Sequence, residues 1–221
     1  MKLLDLFTGT GSVARVARQV GYDVTTLDID PRANPDICAD IMTFDYSTLG
    51  HFDVIWASPP CNTFSHARKS NIGRNGYTRE SLEQDIIEIG LPILVRTRAI
   101  IECLQPTYYF IENPYTGRMK DFIDEKPYIF DYCMYGFDYR KRTAVWSNKP
   151  LTSCMCDKSH LIDGKHRATC IGSSKTHGGQ GGGNCKCGRY AIPEPLLTYL
   201  LSWTRPRRHK TCVSHLLLLI L

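Results

Sequence analysis

The sequence predicts an α/β protein: a doubly wound, mostly parallel sheet carrying a small Cys/Gly-rich insert. Three observations carry that expectation. Short apolar runs of strand length alternate with stretches of helical spacing as far as residue 150, the pattern of parallel strands joined by crossover helices. Several of the apolar runs stop at a Gly, Pro or Asn turn, and such turns punctuate elements. After Pro150 the periodicity ends and Cys, His and Gly take over.

The elements follow in order. Residues 2–7 are an apolar run feeding Thr8-Gly9-Thr10-Gly11, which reads as a buried strand before a glycine turn. Ser12 stands where the N-cap of a helix is expected, ahead of Val13-Ala14-Arg15-Val16-Ala17, and Gly21 closes that helix. Residues 22–27, rich in β-branched side chains, are a second strand. A third short strand precedes Asp40, and residues 52–56 make a fourth that stops at Ser58-Pro59-Pro60. Residues 79–104 are the longest helical pattern, with Pro92 as a kink or break. Residues 108–111 form a strand ending at Glu112-Asn113-Pro114, and 128–135 with 143–147 form a further strand pair. A final helix over 193–203 has Pro near its first turn.

Composition limits the function classes. The 221 residues are 43% hydrophobic and 22% charged, which excludes disordered and collagen-like chains. The longest apolar run, residues 216–221, falls far short of the roughly 20 residues of a membrane-spanning helix. Met1-Lys2-Leu3-Leu4-Asp5 has a charge within its apolar stretch, so no signal peptide is expected and the chain is read as intracellular. Ten cysteines without a secretion signal point to thiols, a nucleophile or metal ligands rather than a disulfide framework. The net charge of +5 permits a polyanionic partner without demanding one. The domain division is 1–150 for the main unit, 151–190 for the Cys-rich segment, 191–204 for a closing helix and 205–221 for a tail outside the fold.

Two clusters carry chemistry. Phe7-Thr8-Gly9-Thr10-Gly11 lies between strand and helix, with Asp28 ending the next strand. Glycines allow close backbone approach and the acid takes ribose hydroxyls. Ser12 replaces the last glycine of a dinucleotide fingerprint, and no P-loop lysine follows, so a nucleoside-like cofactor without phosphates is favoured. Asp40 is placed to accept from an adenine amino group, or else caps a helix. The second cluster is Ser58-Pro59-Pro60-Cys61, with Glu112-Asn113-Pro114 ending the next strand fifty-one residues on. A cysteine there sits at the carboxyl edge of the sheet, where α/β sites lie. Arg140 and Arg142 would share a face by alternation; the other reading is a bland surface pair.

In this order and over residues 2–147 these motifs resemble the DNA cytosine-5 methyltransferases, most closely their compact viral or phage members. Asn62, Pro114 and Asp138 stand where that family usually has Gln, Val and Gln. The resemblance implies a Rossmann-like methyltransferase fold, with 1–150 as the catalytic domain. It implies S-adenosylmethionine bound by Phe7, Thr8, Gly9, Thr10, Gly11, Asp28, Ile29, Asp40, Ile41 and Pro59. Cys61 becomes the nucleophile at C6 of a flipped cytosine, Glu112 the group at N3, and Arg140 and Arg142 complete the catalytic set. Pro60, Asn62, Ser65 and Asn113 would meet the substrate. The implied partner is DNA, bound by a monomer without a membrane, in the cytoplasm or nucleus (a host cell's if the source is viral). RNA as substrate, or a degenerate binding protein, are the alternatives. The 151–190 segment is expected to recognise the target. Its thiols are incidental in the favoured reading; in the other, Cys154, Cys156, Cys185 and Cys187, with His160 and Cys170 between, hold zinc.

Overall fold

The apolar runs do not alternate with polar residues because most strands are covered on both faces. Leu3, Leu4 and Leu6 are all buried, as are Val54, Ile55, Trp56 and Ala57. The computed structural model describes residues 1–74, 76–137, 139–161, 166 and 191–202. Its strands are β1 (Lys2–Leu6), β2 (Asp23–Asp28), β3 (Ile37–Cys38), β4 (Val54–Ala57), β5 (Tyr108–Pro114), β6 (Tyr128–Asp131) and β7 (Arg142–Trp146). They form one sheet in the order β3-β2-β1-β4-β5-β7-β6. The first five are mutually parallel, and β7 is antiparallel to both β5 and β6.

One face packs against α1 (Ser12–Gln19) and α4 (Glu194–Leu201) through Val13, Val16, Ala17, Leu196, Leu197, Leu200 and Leu201. The other face packs against α3 (Leu91–Leu104), with Leu94, Ile100 and Ile101 meeting Leu4, Leu6, Ile55 and Ile111. Helices on both faces make the sheet doubly wound, as the strand–helix alternation predicts.

Four boundaries differ from the sequence reading. Gly11, in the left-handed conformation at φ 69°, is the N-cap of α1, and Ser12 is its first residue; the turn needs a positive φ that serine adopts poorly. The 79–104 pattern splits into α2 (Arg79–Asp85), a π-helical turn (Ile86–Gly90) and α3, the break falling just before Pro92. Residues 132–135 leave the strand for a 3₁₀ turn ending at Gly136, φ 93°, which reverses the chain toward β7. Strand β5 runs on through Glu112, Asn113 and Pro114 because it pairs there with β7.

Residues 151–156 stay at the sheet: Cys154 bridges Phe130 and exchanges backbone bonds with Ile129 and Asp131. Asp138, Cys170, Cys185, Cys187, His177, the 178–183 glycine tract and the 205–221 tail lie outside the described residues. Among the described residues no helix is long and apolar enough to cross a membrane.

Candidate active site at the carboxyl edge of the sheet

Strands β1, β2, β4 and β5 end on one edge, and the winding direction reverses between β1 and β4. Open α/β sheets bind ligands at that point. On its β1 side the glycine loop is held by main-chain bonds: Phe7 and Thr8 both donate to Leu27 O (2.9 and 3.2 Å), and Gly11 donates to Thr8 O (2.9 Å). The Thr8 hydroxyl donates to Asp5 O at 3.1 Å, while Thr10 is exposed. Phe7 sits at φ 65°. For a non-glycine residue that conformation costs of order 1 kcal/mol, and it persists where surrounding bonds enforce it.

Asp28 is fixed beside this loop. Its carboxylate accepts from Gly9 N at 2.8 Å and Asp30 N at 2.9 Å. The neighbouring Asp30 is taken by Arg32 at 2.7 Å, which holds its carboxyl down at about 2. Ile29 is 64% exposed next to Asp28, whereas Ile41 is buried. Asp40 is exposed and accepts from Met42 N at 2.9 Å, so it caps a turn with one of its oxygens.

Asp5 was absent from the residues picked out in the sequence. It lies mid-strand in β1, 1% exposed, and its Oδ2 has no hydrogen-bond partner among the described residues. Burial pushes its carboxyl up to about 7, with Thr8 opposing the rise. An acid inside an otherwise apolar buried strand was the available signal, because such residues are almost never buried without a reason.

On the far side of the crevice the Pro-Pro-Cys loop is tied to the end of β5. Asn113, 1% exposed, donates from Nδ2 to Pro59 O at 2.9 Å. Pro59 is buried, while Pro60 and Asn62 are exposed and Cys61 is partly exposed. Asn62 accepts from Thr63 N at 3.1 Å, and Ser65 caps the next turn by accepting from Ala67 N at 3.3 Å. Two glycines let other segments close on this loop. A Cβ on Gly90 would lie 2.6 Å from Thr63 Oγ1 and 2.9 Å from Phe64 Cζ; one on Gly117 would lie 3.1 Å from Pro114 O. The π-helical turn thus ends against the residues just after Cys61, and π turns recur at functional sites.

Glu112 is 7% exposed on β5. Its Oε1 accepts from Tyr132 Oη at 3.2 Å and from the Thr143 hydroxyl. Burial and the adjacent Glu112 push the Tyr132 phenol well above its ordinary value, so it remains an O–H donor. Neither Tyr132 nor Thr143 was singled out in the sequence, since their contact with Glu112 depends on how β6 and β7 return to β5.

Arg142 opens β7 at this same edge, because an antiparallel strand brings its start to the carboxyl ends of its neighbours. Its Nε and Nη2 fork onto Asp131 at 2.8 and 2.7 Å. Asp131 is wholly buried, and a buried carboxylate requires such a partner. Arg140 is exposed and precedes the strand. Of the arginine pair, Arg142 thus opens β7 and Arg140 stands two residues before it, while Thr143 of the same strand donates its hydroxyl to Glu112.

A family model for C-5 cytosine-specific DNA methylases matches residues 1–116. The probable DNA (cytosine-5)-methyltransferase of Frog virus 3 (isolate Goorha) is 46% identical over 154 residues, 67% of this chain and 71% of the relative. The chain belongs to the C-5 cytosine-specific DNA methylase family. Among solved structures, the chain is similar to a putative DNA modification methyltransferase from an E. coli prophage, at 19% identity and a TM-score of 0.46 over 66% of this chain and 46% of that one. The Entamoeba histolytica methyltransferase EhMeth is 15% identical, with a TM-score of 0.47 over 69% and 56%. The chain spans about half the length of these two structures.

Proposed function

We propose that this chain transfers the methyl group of S-adenosylmethionine to C5 of cytosine in DNA, with Cys61 adding to C6 of a flipped base. The observation that carries this reading is the bond from Asn113 to Pro59. It joins the Cys61 loop to the strand bearing Glu112, so that thiol and carboxyl serve one crevice.

The residues on the β1 side suit the cofactor. Asp28 bonds to Gly9 of the glycine loop and Asp5 to its Thr8, and no lysine or arginine lies within the loop. The Asp28 carboxylate suits a cationic cofactor and would repel a polyphosphate. The unpartnered Oδ2 of Asp5 offers a buried acceptor. A Cβ at Gly11 would meet nothing within 4 Å, so the loop leaves room at its turn. Asp28 would take the ribose hydroxyls and exposed Ile29 the adenine face, with Phe7 beside the sugar.

S-adenosylmethionine, when bound, supplies an electrophilic methyl group. C5 of cytosine is a weak nucleophile, and the protein's part is to make it a stronger one. The Cys61 thiolate bonds to C6, and the displaced electron pair is delivered toward N3, where Glu112 holds a proton. Tyr132 and Thr143 both donate to Oε1, which presents Oε2 to the base. Once C5 has gained the methyl group, loss of the C5 proton returns the electrons that break the C6–S bond, and Cys61 leaves as thiolate. The base is inaccessible within a duplex, so it must be swung out of the stack. We assign target selection to residues 151–190, which follow the catalytic unit and hold six lysines and arginines, the residue types that contact phosphates.

Labelled methyl transfer to DNA and to RNA tests the substrate. DNA carrying 5-fluorocytosine tests the mechanism, because fluorine blocks proton loss and leaves Cys61 attached. Transfer to RNA alone, or no adduct at Cys61, would overturn the proposal.

A further inference from the structure

Away from the crevice, the described residues place four soft ligands together: Cys133, Cys156, His160 and His166, with all four ligand atoms within 4.8 Å of one another. We infer that this chain holds a structural zinc ion on these four residues. A tetrahedral zinc site with Zn–S of about 2.3 Å and Zn–N of about 2.0–2.1 Å sets its ligand atoms roughly 3.3–3.8 Å apart. Cys156 Sγ and His166 Nε2 already stand at 3.3 Å. The widest separation needs to close by only about 1 Å to reach that range. Two thiolates and two imidazoles are a donor set that selects zinc over magnesium or calcium.

The setting is that of a closed site. Cys133 lies buried at the floor in the 3₁₀ turn after β6, Cys156 and His166 are partly exposed, and His160 faces solvent. Backbone groups support the sulfur: Lys158 N donates to Cys156 Sγ at 3.3 Å, and Lys158 adopts φ 68° to do so. Cys156 N donates in turn to Asp131 Oδ2 at 2.8 Å. Such second partners orient metal ligands. The ligand set differs from the one the sequence suggested. Cys154 is buried in the core layer shared with Phe130 and Tyr135, and it does not belong to the four-residue group.

The cluster also adjoins the catalytic edge. Asp131 carries the Arg142 fork, and Tyr132, next to Cys133, donates to Glu112. A zinc ion here would clamp the start of the 151–190 segment to the strands that position Glu112, and its binding energy would be folding energy for that segment.

The test is zinc content of the purified full chain, followed by cobalt substitution; neither reads methyl transfer, so the result is independent of the proposed activity. One zinc per chain is expected, and the cobalt form should show tetrahedral d–d bands with a thiolate charge-transfer band. Cys133→Ser, Cys156→Ser and His166→Ala should each weaken zinc binding at least tenfold, while Cys38→Ser and Cys103→Ser leave it unchanged. Should the Cys133 variant fail to fold, the doubly substituted His160→Ala/His166→Ala chain decides, since those side chains lie nearer the surface. Absence of stoichiometric zinc, a Cys133–Cys156 disulfide in the native chain, or an octahedral cobalt spectrum would overturn the site. So would zinc that survives the ligand substitutions but is lost with Cys185→Ser or Cys187→Ser.

Discussion

Replacing Asp5 with Asn should change how stability depends on pH. The carboxyl is fully buried and is pushed from its ordinary value of 3.8 up to about 7. Between those values the folded chain holds a proton that the unfolded chain has released, so this group's contribution to stability falls as pH rises through that window. The whole interval corresponds to roughly 4 kcal/mol. Asp5→Asn keeps the shape and stays neutral throughout, so the variant lacks this loss. Denaturant unfolding of both chains, repeated from pH 4 to pH 8, isolates the effect, because other titrating groups cancel in the difference. The variant's stability relative to the parent should climb by roughly 4 kcal/mol from the acidic to the alkaline end. A difference that stays flat would show that Asp5 ionises in the folded protein as readily as in water.

Other consequences are as direct. Cys61→Ser should abolish methyl transfer and adduct formation while S-adenosylmethionine affinity, measured by calorimetry, stays within error of the parent. Asp28→Ala should weaken the cofactor by roughly 1.5–3 kcal/mol, the scale for hydrogen bonds to a charged group; unchanged affinity would remove Asp28 from the ribose. Asn113→Ala releases Pro59 and should cost about 1–3 kcal/mol in urea unfolding, together with a larger fall in kcat than in cofactor affinity. Gly90→Ala would stabilise an ordinary helix by about 1 kcal/mol, but here its Cβ meets Thr63 and Phe64 below 3 Å. Net destabilisation of about 1–3 kcal/mol is therefore expected, and a more stable variant would contradict the packing.

Strand positions were legible because a doubly covered parallel sheet demands mainly apolar runs, and residues 2–7 and 52–56 have them apart from single acids. The glycine loop and Pro-Pro-Cys were legible because each is a local motif that needs no distant partner to be noticed. What the sequence could not convey was pairing across the chain. The contact of Thr143 with Glu112 exists only because β7 runs antiparallel beside β5. Arg142 reads in sequence as half of an available arginine pair, yet Asp131, eleven positions earlier, occupies it. Cys133 drew no notice beside the obvious Cys-x-Cys, since a thiol in a turn acquires its neighbours only when residues 154–156 come back along β6. Asp5 was overlooked for a different reason: it interrupts an apolar run without breaking the strand.

Arg15 of α1 pairs with Glu194 of α4, and Tyr22, in the turn after α1, donates to Leu201 O; each pair is 179 residues apart in sequence. The helix that follows the glycine loop therefore has one flank covered by the far end of the described chain. In sequence, residues 157–191 are an insertion between two anchored stretches, residues 153–156 bonded to β6 and α4 bonded to α1. Closing such an insertion grows more costly only logarithmically, by about 0.6 kcal/mol for each doubling of length. A change in the length of that insertion should accordingly cost the sheet little, whereas exchange of residues 153–156 would remove bonds to β6.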